Sequence, residues 1–281
     1  MHVPLDDALM HLIGERLGRQ LGLAIGPQHW ERLRRAIEPV TDACQPPALA
    51  ACLRRFIDAP LARSDAELIA AELSVGETYF FREPQAFEML EREVLPALLA
   101  ERRCIGRRLR LWSAGCCTGE ECYSLAIIVN RLLPDIAEWD IRIVGTDIHP
   151  GFLAQARKGI YGDWSFRGLS PILRRRYFEA LPDERWSVRP ALRNGVDFRY
   201  GNLAQDAPPG CAFDLVLCRN VLMYFNAEAA RRVLATLRES LSPRGWLLVA
   251  AAEAPVPAAC GLVEARIGDV VFHRRPLGTR P

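Results

Sequence analysis

The chain has 281 residues, half of them hydrophobic and a quarter charged, with 36 Lys+Arg against 34 Asp+Glu for a formal net charge of +2. That balance excludes a disordered, collagenous or coiled-coil chain and argues against broad, non-specific nucleic-acid binding, while the length allows one mid-sized domain plus a small one. The start, Met1-His-Val-Pro-Leu-Asp-Asp7, lacks the pattern of a secretory signal, and the most apolar stretch, Trp246 to Cys260, is interrupted by Glu253, Pro255 and Pro257.

Taken along the chain, Leu5, Leu9, Leu12, Ile13 and Leu17 recur at helical spacing. Trp30, Leu33, Ile37 and Val40 do so after the Gly26-Pro27 break, and Leu49, Cys52, Leu53 and Phe56 make a third stripe. Ser64-Asp-Ala-Glu67 is a capping-box pattern and opens a fourth helix. Residues 1–75 therefore read as an all-α domain. Pro84 marks another helix start, with Phe87, Leu90, Val94 and Leu98 carrying its stripe to residue 100. A strand at 108–113 leads into the loop Ala114-Gly-Cys-Cys-Thr-Gly119, and then a helix with Cys122, Leu125, Ala126, Val129 and Leu133 on one face. The next strand, 141–146, ends at Asp147; further strands are expected at 196–200, 213–218 and 246–250, with a helix over 227–241. A Gly268-Asp269 turn joins a terminal hairpin. Strands alternating with helices predict an α/β fold with an open, mainly parallel sheet over residues 76–281.

Nine cysteines form no CxxC pair and the five histidines lack metal-ligand spacing, so a reducing cytoplasm and no metal site are expected. Ligands of such sheets bind at the carboxyl ends of strands. The small residues of the loop containing Gly115 let a ligand approach the backbone and the free N–H groups of a helix start, although tight turns also need glycine for packing. Asp147 can accept both hydroxyls of a ribose, or can cap the helix near His149-Pro150. Cys218-Arg-Asn-Val-Leu-Met-Tyr-Phe225 ends an apolar strand in Arg219 and Asn220, whose burial demands partners. The loop is not the G-x-G-x-x-G of dinucleotide folds. Glu120 and Glu121 would repel a pyrophosphate yet suit an ammonium, so charge favours S-adenosylmethionine over NAD.

Glu77-Thr-Tyr-Phe-Phe-Arg-Glu83, Trp112-Ser-Ala-Gly-Cys-Cys-Thr-Gly-Glu-Glu121, Asp147, Gly201-Asn-Leu203 and 218–225 together resemble the CheR family of S-adenosylmethionine-dependent chemotaxis-receptor glutamate O-methyltransferases. The resemblance runs in order from about residue 5 to 274. It implies a Rossmann-like methyltransferase sheet, a helical N-terminal domain and a small β-subdomain at about 178–195. It also implies that Thr78 and Arg82 lie over the cofactor, Glu121 holds the methionine amino group and Asp147 the ribose, and Asn202 and Leu203 border the adenine. Arg219 and Asn220 would line the methionine end, and Tyr224 the transferred methyl, with Arg82 orienting the incoming carboxylate or clamping the linker. The implied partner is the helical bundle of a receptor, met by a monomer without nucleic acid or membrane insertion. Cys117, Cys122 and Gly76 depart from residues frequent in the family. The insert Pro182-Asp-Glu-Arg-Trp-Ser-Val-Arg189 is short and has no glycine at its turn, and residues 1–76 carry 8 Arg against 10 Asp+Glu, a net of −2. The insert predicts docking on the receptor's helical bundle without a separate tail anchor, and the N-terminal helix around Trp30 to Val40 is less basic than docking on acidic receptor helices would favour. Methylation of another substrate, or a non-catalytic S-adenosylmethionine-binding signalling module, are the alternative readings.

Overall fold

The computed structural model describes residues 7–42, 62–210, 212–258 and 260–276. The strands are β1 (Arg108–Ala114), β2 (Asp140–Asp147), β3 (Ile160–Tyr161), β4 (Phe178–Ala180), β5 (Trp186–Val188), β6 (Val196–Tyr200), β7 (Phe213–Cys218), β8 (Leu241–Val249), β9 (Val263–Ile267) and β10 (Val270–Arg274). One sheet of seven strands has the order β6-β2-β1-β7-β8-β10-β9. Its first five are parallel, and the β9–β10 hairpin closes the far edge antiparallel. The chain builds outward from β1 to β2 and β6, then crosses back to β7 on the other side of β1. The order reverses between β1 and β7, which opens a crevice beyond their carboxyl ends.

Side-chain alternation explains the two layers. Leu215 and Leu217 of β7 face one core with Leu111 and Ile127, whereas Val216 and Cys218 face another with Trp112, Val233 and Leu234. Burial on both faces is what an apolar parallel strand such as Phe213–Cys218 requires. A third core is helical, with Met10, Ile13, Leu17 and Leu21 packed on Leu33, Ile37, Ile69 and Leu73. These helices run Asp7–Leu21, Trp30–Asp42 and Arg63–Leu73. Phe80 plugs the linker into the sheet domain, fully buried and 4.9–5.1 Å in ring-centroid distance from Tyr161, Phe166 and Phe178.

Several boundaries differ from the sequence-based expectation. The helix at 63–73 starts before Ser64, with the Ala62 carbonyl accepting from Asp65 and Ala66, so Ser64 lies inside the first turn rather than ahead of it. A continuous helix from Pro84 is instead broken by a π turn at Leu90–Val94, which widens the coil just ahead of Pro96, where an unbroken α-helix would set the ring against a carbonyl. Strand β8 begins at Leu241 rather than Trp246, with an irregular register against β7. The small sheet has the order β3-β5-β4, so Ile160–Tyr161 joins it from outside the expected 178–195 segment. A two-residue strand has no periodicity to read. The stripe at Leu49, Cys52, Leu53 and Phe56 lies outside the described residues.

Candidate active site

A cavity of about 360 Å³ opens at the β1/β7 crevice. Thr78, Arg82, Gly115, Glu121, Asp147, Asn202, Leu203, Arg219, Asn220 and Tyr224 all line it. Every site residue expected from the sequence is thus brought to one place.

The loop after β1 is shaped by contact as well as by φ. Gly115 (φ +84°) lies so near the loop after β7 that a Cβ there would sit 2.4 Å from Val221 Cγ2. Only glycine fits that approach. The Gly115 and Cys116 amides donate to the Thr146 carbonyl at 2.8 and 2.9 Å, which ties the loop to the end of β2. Asp147 completes the tie: Oδ2 accepts from Cys117 N at 2.8 Å and Oδ1 from His149 N at 2.9 Å. It does not cap the following helix. His149 does, its Nδ1 accepting from Gly151 and Phe152. Burial holds the Asp147 carboxyl above its ordinary pKa, against the opposing pull of those amide donors.

The two adjacent glutamates part company because successive helix positions point about 100° apart. Glu120 turns into the protein, 2% exposed, and accepts from Thr118 Oγ1 at 2.7 Å and Ser165 Oγ at 2.9 Å. Of the two, Glu121 faces the cavity, so the charge that suits an ammonium comes from Glu121 alone. Its Oε1 accepts from Ser113 Oγ at 2.7 Å and its Oε2 pairs with Arg219 Nη1 at 3.0 Å.

Arg219 meets the demand for partners made by its burial. Nη2 donates to the Arg82 carbonyl at 2.6 Å and lies 3.3 Å from Glu83 Oε2. Its Nε is buried and has no hydrogen-bond partner among the described residues. Arg82 itself donates through Nη1 to the Glu77 carbonyl, which braces the linker. Tyr224 is half-buried; desolvation raises its hydroxyl pKa, partly countered by the charges of Arg82 and Arg32.

Two contributions escaped the sequence reading. The helical segment is a wall of the same cavity: Leu23 bridges Phe225, and Ala24 N donates to the Tyr224 carbonyl at 2.8 Å. Glu253, which entered only as a break in an apolar stretch, accepts from the Asn220 amide at 2.9 Å. The signal was present, since a carboxylate among so many apolar residues must find donors.

The family model described as CheR methyltransferase, SAM binding domain, matches residues 76–259. The chain belongs to the CheR methyltransferase family. It is 38% identical over 192 residues to Chemotaxis protein methyltransferase 1 of Pseudomonas aeruginosa, covering 67% of this chain and 69% of that protein. It is 33% identical over 247 residues to Chemotaxis protein methyltransferase of Vibrio parahaemolyticus, covering 84% of this chain and 86% of that one.

A CheR methyltransferase uses S-adenosylmethionine, and the cavity suits that group. Arg219 Nε is an unsatisfied buried donor for an anionic group, and the backbone at Gly115 is free of side chain. The Asp147 oxygens each accept one amide and so retain a lone pair for a hydroxyl.

Proposed function

We propose that this CheR-family enzyme methylates glutamate side-chain carboxylates on the helical bundle of a chemoreceptor-type signalling protein, giving glutamyl methyl esters and S-adenosylhomocysteine. It acts as a cytoplasmic monomer in this reading. Asp147 accepts the ribose hydroxyls, Glu121 the methionine ammonium and Arg219 its carboxylate, while Asn202 and Leu203 flank the adenine. Thr78, Gly115 and Asn220 complete the wall. Bound there, S-adenosylmethionine supplies an electrophilic sulfonium methyl.

The observation that carries the reading is that Arg82 and Tyr224 line the same cavity as Glu121, Asp147 and Arg219. A guanidinium beside a neutral hydroxyl welcomes an anion and repels a protonated amine. A glutamate side chain, with an ordinary pKa of about 4.3, arrives ionised and needs no general base. Holding it within roughly 3–3.5 Å of the methyl carbon and in line with the C–S bond is then the main catalytic task. The fork of Arg82 can fix the carboxylate plane. The names of the relatives support a chemotaxis substrate. Tritiated methyl transfer from S-adenosylmethionine into membranes bearing candidate receptors tests the reading. Base-labile label is expected; label stable to base would overturn carboxylate methylation.

A further inference from the structure

Glu253 is 5% exposed, follows β8, and makes no ion pair among the described residues. Backbone amides surround its carboxylate instead. Oε2 accepts from Asn220 N at 2.9 Å and Ala250 N at 3.2 Å, and Oε1 from Met223 N at 3.2 Å. Two of those donors belong to the loop after β7, and the third belongs to the end of β8. The carboxylate therefore bridges the ends of two strands, one of them leading into the cavity wall at Asn220 and Met223.

The bridged loop turns through a left-handed residue, and its amides are held by the carboxylate. Asn220 sits at φ +57°, a left-handed geometry that asparagine adopts more readily than other non-glycine residues and that persists where the surroundings hold it. Within this turn stand Arg219, whose Nε lacks a partner, and Tyr224, whose carbonyl takes the Ala24 amide. Charge-assisted bonds from backbone N–H to carboxylate are about twice as strong as neutral ones. A neutral amide at the same place would present an NH₂ toward one or more N–H donors.

We infer that Glu253 is a positioning residue: it holds the left-handed turn at Asn220 through three backbone N–H bonds and thereby sets Arg219 and Tyr224 for methyl transfer. It touches neither donor nor acceptor. The inference rests on the assignment of Arg219 and Tyr224 to the methyl-donor site.

The test uses Glu253→Gln, with Asp214→Asn as the matched control. Asp214 is also a buried carboxylate bonded to backbone, through Arg110 N at 2.9 Å, and although it pairs with Arg102 as well, it stands near the opposite end of β7 from the cavity. Both variants lower the unfolding midpoint. Glu253→Gln weakens S-adenosylhomocysteine binding at least 10-fold by calorimetry and lowers kcat at saturating donor. Asp214→Asn leaves both within 2-fold. Wild-type affinity and kcat in a folded Glu253→Gln protein would overturn the inference. Arg219→Lys separates the two levels: if it binds S-adenosylhomocysteine as the wild type does, the site assignment falls. If it weakens binding while Glu253→Gln does not, only Glu253's role falls. Should Glu253→Gln fail to fold, amide exchange in the wild-type protein decides. Slow exchange at Asn220 and Met223 supports the bridge, and exchange at the rate of an exposed loop overturns it.

Discussion

The carboxylate of Asp147 reaches the backbone of Cys117, 2.8 Å from Oδ2 to N, and so fastens the end of β2 to the loop after β1. Its second oxygen steadies His149, which in turn caps the next helix. One residue both shapes the cavity and offers lone pairs to whatever fills it. Removing it loses the ribose acceptor and loosens both loops.

Asp147→Ala is accordingly expected to weaken S-adenosylhomocysteine binding by about 1–3 kcal/mol, the range for lost charge-assisted hydrogen bonds. Calorimetry on the folded variant is the check. Unchanged affinity would remove Asp147 from the ribose assignment.

Glu120 yields a pH prediction of defined sign. Burial raises its pKa above the ordinary value, opposed by hydrogen bonds from Thr118 and Ser165 and by the charge of Arg167. A carboxyl whose folded pKa is raised binds its proton in the native state over an interval where the unfolded chain has lost it. Stability therefore falls as pH rises through that interval, from about 4.3 upward, and is level above it. Glu120→Gln does not titrate, and its amide can serve both hydroxyl partners. Urea unfolding between about pH 4 and 7 should show the variant gaining on wild type as pH increases. A difference independent of pH would mean that Glu120 ionises as easily in the fold as outside it.

How far these features were legible follows from their physics. Arg219 and Asn220 stood out because polar residues ending an apolar strand need partners, and Gly115 because its loop joins strand to helix. The split between Glu120 and Glu121 was hidden, since adjacent positions share one chemistry and differ only in direction around the helix. The Leu23–Phe225 bridge joins segments about 200 residues apart, which no local pattern encodes. Strand β3 is too short to show a period, and the π turn at Leu90–Val94 leaves the apolar spacing of Phe87, Leu90, Val94 and Leu98 unchanged in the sequence.

The insert bears on how the substrate docks. Its turn places Glu184 at φ +61° and is closed by the Leu181 N to Arg185 O bond at 2.8 Å. A non-glycine residue there carries strain without obvious gain, and the nearby Arg185 and Arg189 are engaged by Asp183 and Glu179. Receptors with and without their C-terminal tails should be methylated at similar rates. A large loss on tail deletion would show that the insert grips peptide.

The sharpest division between binding and catalysis falls at Arg82. Phe80 anchors its segment in the core and Phe81 N donates to Ser124 Oγ at 3.0 Å, so the backbone there is fixed independently of the guanidinium. The guanidinium spends one nitrogen, Nη1, on the Glu77 carbonyl and leaves the rest of its fork for a ligand. A lysine can reproduce that single bond but not the planar fork. Arg82→Lys should therefore keep the fold and most of the S-adenosylhomocysteine affinity. Turnover should fall far more, about 10- to 100-fold, through misalignment of an already ionised nucleophile. If Arg82 is mainly a donor contact, affinity and rate fall together and saturating S-adenosylmethionine restores much of the rate. Steady-state methylation at saturating donor, beside calorimetry on the same variant, distinguishes the two. Wild-type turnover in Arg82→Lys would reduce Arg82 to a clamp on the linker, through the bond to Glu77 that lysine preserves.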